Sequence, residues 1–271
     1  MLEAALAGLA AILIYMTLIW LWSVRTSNAG IIDVFWGPGF LLAALIYYTQ
    51  TPEGFLPRKV LIVTLVALWG LRLGLHLGLR NIGKKEDPRY AKWRAEGGRF
   101  WWLNSYRKVF VLQGLIMWVI SMPLLLAQVS AQPDYLTVLD YLGILVWGVG
   151  FFFEAVGDWQ LTRFKSDPAN KGRVMQTGLW QYTRHPNYFG DAACWWGYGL
   201  VALSVPFGFL GLICSFAMTL LLRRVSGVPL LESRLKETRP DYAAYIARTN
   251  AFFPGRPRPS TTSSETPTPQ A

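Results

Sequence analysis

A chain of 271 residues that is 53% hydrophobic, 15% aromatic and only 15% charged is too apolar for an ordinary soluble domain. Its formal charge of +10 would suit nucleic acid only if a soluble basic face carried it. No soluble domain remains once the apolar runs are set aside, so composition excludes a nucleic-acid binder and implies an all-α, polytopic protein in a lipid bilayer.

A hydrocarbon core of about 30 Å takes about 20 helical residues, and the apolar runs predict seven transmembrane helices near 4–24, 30–49, 58–79, 109–128, 136–160, 186–204 and 206–222. The first run lacks a basic leader and runs too long for a cleaved signal, so it is read as a helix. Lys and Arg number nine from Arg80 to Lys108, five from Arg163 to Arg184 and eight from Arg223 to Arg258. The loop after the second span holds only Arg58 and Lys59, and Gln132-Pro133-Asp134 holds no cation. This bias predicts an external N-terminus and a cytoplasmic C-terminus. Cys194 and Cys214 fall inside helices as small packing residues, and two histidines with no HExxH or CxxC predict no metal site.

In chain order, the first helix is uniformly apolar. The second opens on Asn28 and carries Asp33 within about a turn of its cytoplasmic end, either as a dipole-favoured N-terminal carboxylate or as a catalytic acid facing a cavity. Gly37-Pro38-Gly39 is expected to interrupt that helix, as backbone does where it lines a cavity. In the third helix Arg72, His76 and Arg80 share one face and predict a polar cavity or an anionic ligand. From Asn81 to Lys108 charge and tryptophan mix as in an interfacial belt, and Asp87-Pro88-Arg89-Tyr90 is expected to cover a ligand.

The fifth helix carries Glu154 and Asp158 one turn apart, which need partners, with Arg163 and Lys165 the nearest cations in sequence. The densest polar stretch follows, Gly172 to Asp191, at the mouth of the sixth helix. There Pro186 suits a first helical turn, Asn187 and Asp191 are one turn apart, and the free N–H groups beside Arg173, Arg184 and His185 suit phosphate. Beyond Arg223-Arg224 an amphipathic segment through Leu235, Tyr242 and Tyr245 predicts a membrane-surface lid. Residues 1–253 are thus expected to form one domain and 254–271, rich in Pro, Thr and Ser, a disordered tail.

The run Gly178-Leu179-Trp180, Tyr182, Arg184-His185-Pro186-Asn187-Tyr188-Phe189-Gly190-Asp191 with Trp195-Trp196-Gly197-Tyr198 resembles the C-terminal half of the steroid 5-alpha-reductase family, specifically its bacterial branch. Glu154, Asp158, Lys165 and Arg173 upstream, and Asp241-Tyr242 with Phe252-Phe253-Pro254 downstream, extend the resemblance over about residues 140–255. It implies a bacterial inner-membrane, seven-helix reductase whose cavity opens to the cytoplasm and holds NADPH. Carried over, Glu154, Asp158, Lys165, Arg173, Tyr182, Arg184, His185, Asn187, Tyr188 and Asp191 would contact the cofactor, with Arg80 and Asn81 from the third helix. No GxGxxG is present, so no Rossmann domain does that work.

The implied reaction is hydride transfer to the C=C bond of an enone lipid such as a 3-oxo-4-ene steroid. Its partners are that lipophile and the bilayer, and no obligatory protein partner is implied. The family pairs a Glu on the second helix with a Tyr on the third. Here the second helix offers Asp33 and the third has no tyrosine, so Asp33 and His76 are the catalytic candidates, with Arg72 a second possible donor. The Arg-His-Pro-x-Tyr-x-Gly core also resembles S-adenosylmethionine-dependent membrane methyltransferases of the isoprenylcysteine and phospholipid type. The paired carboxylates and the extra cations Lys165 and Arg173 favour the reductase.

Overall fold

A computed structural model describes residues 1–84, 86–225 and 227–259. The tail expected from Pro254 lies outside the described residues from position 260 on. Regular structure among the described residues is helical. Helices α1 (Leu2–Thr26), α2 (Ile32–Gln50) and α3 (Leu56–Asn81) are followed by the short α4 (Pro88–Gly97) and α5 (Trp101–Ser105). A π-helical segment, Tyr106–Val111, leads into α6 (Leu112–Ile120) and α7 (Met122–Val129), then α8 (Val138–Ser166). After an irregular stretch come α9 (Pro186–Leu203), α10 (Phe209–Leu220), α11 (Val228–Thr238) and α12 (Tyr242–Arg248).

Six stretches among the described residues are long and apolar enough to cross a membrane: Leu2–Thr26, Ala29–Gln50, Leu56–Asn81, Tyr90–Val129, Val138–Ser166 and Phe209–Thr238. The protein is an all-α, polytopic integral membrane protein. The remaining expected span is helical as α9 but is not among the six, because Asn187, Asp191 and three glycines dilute its apolar run. The leucines at 68, 71, 75 and 79 on α3, each more than half exposed, form the outward stripe that lipid covers. Ile62, Val66, Trp69 and Gly70 on the same helix are buried.

The chain divides into two compact units, and α8 and α9 each contribute to both. The first comprises Met1–Trp147 with Trp195–Met218. Here α2 and α3 touch backbone to backbone: a Cβ on Gly37 would stand 2.3 Å from the Gly70 carbonyl oxygen, and one on Gly70 2.5 Å from that of Gly37. Pro38 lies inside an unbroken α2, against Gly74. The expected interruption at Gly37-Pro38-Gly39 is therefore corrected, since the missing side chains serve close helix packing. Phe40, Trp69, Trp195 and Tyr198 make an aromatic core, with Phe40 and Trp195 ring centroids 4.6 Å apart.

A buried ion pair clasps the α3 and α8 starts of this unit. Arg58 Nε donates to Asp140 Oδ1 at 2.9 Å and its Nη2 to the Tyr135 carbonyl, also at 2.9 Å. Asp140 also accepts from the Thr137 N–H and hydroxyl and from Ser204 Oγ. Both side chains are wholly buried, and such a pair is tolerable in a low-dielectric setting because each remaining lone pair and proton finds a partner.

The second unit comprises Gly148–Cys194 and the described residues from Thr219 on. Its organising contact is another glycine crossing. A Cβ on Gly190 would lie 2.4 Å from the Glu154 nitrogen and from the Gly150 carbonyl oxygen, and one on Gly150 would lie 2.6 Å from the Gly190 oxygen. The α8 and α9 backbones therefore meet one turn from Asp158 on α8 and beside Asn187 on α9.

Candidate functional site

In the second unit that crossing brings Glu154 and Asp158 of α8 against the first turns of α9. Asn187 Nδ2 donates to Asp158 Oδ1 at 3.1 Å, and the Asn187 side-chain oxygen accepts from the Tyr188 N–H at 3.1 Å. Pro186 packs over Gly157, whose carbonyl accepts from Trp180 Nε1 at 3.0 Å. Gln160 Oε1 accepts the Leu179 N–H at 3.0 Å beneath Gly178, whose φ of +63° and close approach to Gln160 no side chain would allow. Glu154 and Asp158 are buried, and Asp191 is half-buried one turn beyond Asn187. Carboxylates and an amide are thereby fixed in a mostly apolar seam, suited to bonding hydroxyl and amide groups. Asp158 takes the Asn187 amide, a partner that sequence reasoning, which named the cations of the following loop, did not list.

Arg184 and His185 face the other way. Arg184 Nε donates to Glu232 Oε1 at 2.9 Å, and its Nη1 to the Thr249 carbonyl at 2.5 Å. His185 Nε2 lies 3.0 Å from the same Glu232 oxygen, and its ring stacks on Tyr188 at 5.5 Å. With a carboxylate as partner Nε2 carries the proton, leaving Nδ1 a buried acceptor with no partner among the described residues. Burial pushes the imidazole below its ordinary value, against the opposing pull of Glu232. The Tyr245 hydroxyl donates to the Trp180 carbonyl, and Thr183 Oγ1 donates to that of Phe252 at 2.8 Å. The Arg-His-Pro turn is thus the anchor that fastens α11 and α12.

Lys165, Arg173 and Tyr182 are exposed. A cleft of about 410 Å³ opens on the last turns of α8, lined by Trp159, Gln160, Arg163, Phe164, Met175 and Thr177 among others, rather than by Glu154 or Asp158.

In the first unit Asn28 Oδ1 caps the Gly30 N–H at 3.0 Å and so starts the turn that leads into α2. Asp33 follows, half-buried, and the Tyr90 hydroxyl donates to Asp33 Oδ1 at 3.2 Å. Gln113 Nε2 donates to the same hydroxyl at 3.5 Å, and Gln113 Oε1 accepts from Trp36 Nε1. Tyr90, on α4, is only 5% exposed. Its helix is latched across the Ala29–Ile31 turn by Glu86, which accepts the Ala29 N–H at 2.8 Å and pairs with Arg94 at 2.6 Å. Arg72 and His76 are half-buried on α3; Arg80 is exposed and donates to Asn81 Oδ1 at 3.4 Å.

Sequence reasoning placed Tyr90 in a ligand-covering segment but did not foresee its contact with Asp33. Its signals were Pro88, which sets the first turn of α4, and an aromatic hydroxyl between charged neighbours. Among the described residues no cluster of three His, Cys, Asp or Glu side chains could hold a metal.

Fold and site together define a polytopic helical membrane protein with two polar centres set in apolar surroundings. The chain belongs to the DUF1295 family, described as a protein of unknown function, whose profile matches residues 19–249. It is 23% identical to an uncharacterised protein of Schizosaccharomyces pombe over 279 residues, covering 91% of this chain and 78% of the yeast protein. No solved structure matches it.

Proposed function

We propose that the protein is an NADPH-dependent membrane reductase that reduces the C=C bond of an enone lipid such as a 3-oxo-4-ene steroid. The observation that carries this reading is the Tyr90–Asp33 hydrogen bond. Enone reduction builds negative charge on a carbonyl oxygen and needs a positioned donor in a dry site. The donor that α3 lacks, having no tyrosine, is supplied by α4.

When bound, NADPH supplies the hydride that adds to the β-carbon. As the alkene electrons move toward the carbonyl oxygen, Tyr90 donates its phenolic proton there. In the structure the phenol rests on Asp33 Oδ1 and accepts from Gln113 Nε2. Once its proton goes to the substrate, the Asp33 carboxyl would relay one from water to the phenolate, and the enol would take a proton at its α-carbon from water to give the saturated ketone. Tyr90 therefore takes the donor role that the sequence assigned to His76, with Asp33 the acid behind it.

The residues of the second unit fit the cofactor in part. Asp158 and Asn187, already hydrogen-bonded and held at the glycine crossing, would bond ribose hydroxyl or amide groups, with Glu154 and Asp191 beside them. The exposed Lys165 and Arg173 would take phosphate charge. Arg184 and His185, turned to Glu232, would hold the turn rather than the cofactor.

The test is turnover of an enone steroid with NADPH by purified protein. Tyr90→Phe and Asp33→Asn should each lower kcat by about 10²–10³-fold while leaving NADPH binding intact, and His76→Ala should have the smaller effect. Wild-type rates in both Tyr90→Phe and Asp33→Asn would remove the catalytic assignment.

A further inference from the structure

At the end of α4 lies a second cleft, of about 330 Å³, lined by Trp93, Glu96, Gly97, Trp101, Asn104, Lys108 and Val109. Its volume falls in the range of about 300–1,000 Å³ typical of small-molecule sites. Trp93 and Trp101 supply broad aromatic walls and Val109, 2% exposed, an apolar floor. A Cβ on Gly97 would stand 3.0 Å from the Trp101 ring, so the glycine lets that indole lie against the end of the helix. Lys108 and Val109 both come from the π-helical segment Tyr106–Val111, a kind of turn found often at functional sites.

The polar groups around those walls carry both signs of charge. The Lys108 ammonium and the Asn104 amide have no partner among the described residues. Among the described residues Glu96 pairs with Lys92 at 3.8 Å, with side chains 61% and 75% exposed, an ion pair of little strength. A purely anionic ligand would meet the Glu96 carboxylate, and a purely apolar one would leave Lys108 and Asn104 without use. A head bearing a phosphate and an ammonium satisfies both, and indole faces attract the ammonium further. Two partly open tryptophans in a cation-rich segment mark the headgroup level of a bilayer, where such a molecule is at hand.

We propose that this cleft binds a zwitterionic phospholipid, with Lys108 and Asn104 on its phosphate, Glu96 on its ammonium, and Trp93, Trp101 and Val109 along the start of its chains. Trp93 stands edge-on to Tyr90, centroids 5.7 Å apart at 89°, so the lipid would lie one helical turn along α4 from the residue that makes the Asp33 contact. The proposal rests on the cleft alone and does not require the reductase reading.

Native mass spectrometry of the full chain in detergent, titrated in parallel with dioleoyl-phosphatidylethanolamine, dioleoyl-phosphatidylcholine and dioleoyl-phosphatidylglycerol, tests it without any turnover. One molecule of either zwitterionic lipid should be retained at lower concentration than phosphatidylglycerol. Lys108→Ala and Glu96→Ala should each weaken that retention about tenfold, while the exposed Arg107→Ala leaves it unchanged; unaltered helical circular dichroism shows that each variant is folded. Equal or better retention of phosphatidylglycerol, or retention indifferent to either Lys108→Ala or Glu96→Ala, overturns the proposal. So does an equal loss in Arg107→Ala.

Discussion

Arg184, His185 and Glu232 show what residue type alone leaves unseen. An arginine and a histidine at a helix start read as an anion site, but both are turned onto one buried carboxylate. What decides the outcome is Glu232, 47 residues beyond His185, and no local pattern announces it. The consequence is a pH dependence of definite sign. Burial holds the folded His185 below the ordinary value of about 6.5, with Glu232, Arg184 and the Tyr188 ring facing it. Its contribution to stability is complete above about pH 6.5 and is lost as pH falls through the folded value. Melting temperature should therefore drop from about pH 7 to about pH 5, with a shallower slope in His185→Asn. Parallel slopes in the two proteins would show that His185 is not the titrating group. Glu232→Ala leaves Arg184 buried and uncompensated, a loss of about 3–5 kcal/mol readable in denaturant.

Among the elements, the helices follow from apolar runs of bilayer length, and α1, α2, α3, α8 and α10 lie close to where hydropathy put them. The misread features came from glycine and proline. Gly37-Pro38-Gly39 was legible as special, but a broken backbone and a backbone in contact with a neighbour share that signature; only the partner Gly70 distinguishes them. Gly150 and Gly190 set the α8–α9 seam in the same way. Gly190→Ala forces a Cβ to within 2.4 Å of backbone atoms that cannot rotate away, so overpacking should cost about 1–3 kcal/mol. The Asp158–Asn187 contact should loosen with it. A Gly190→Ala protein as stable as wild type, with unaltered cofactor affinity, would show that this crossing does not position the site.

For the whole molecule, composition was enough for class, and an integral membrane all-α fold follows from it. The polar interior was half legible. Glu154, Asp158, Asn187 and Asp33 stood out because carboxylates and amides are costly in apolar helices, whereas Arg58–Asp140 passed unnoticed because each looks like an ordinary charge at a helix start until long-range packing buries it. Asp140→Ala should therefore destabilise the protein by about 3–5 kcal/mol, although it lies outside every residue proposed for catalysis, and its loss should appear in melting rather than in KM.

The central claim is NADPH binding, and thermal denaturation of the purified full chain with NADPH, NADH or S-adenosylmethionine tests it most directly. A ligand at 100 times its Kd adds about 2.7 kcal/mol. The account predicts a raised melting temperature with NADPH that is reduced in Asn187→Ala and Arg173→Ala. Stabilisation by S-adenosylmethionine alone would contradict it.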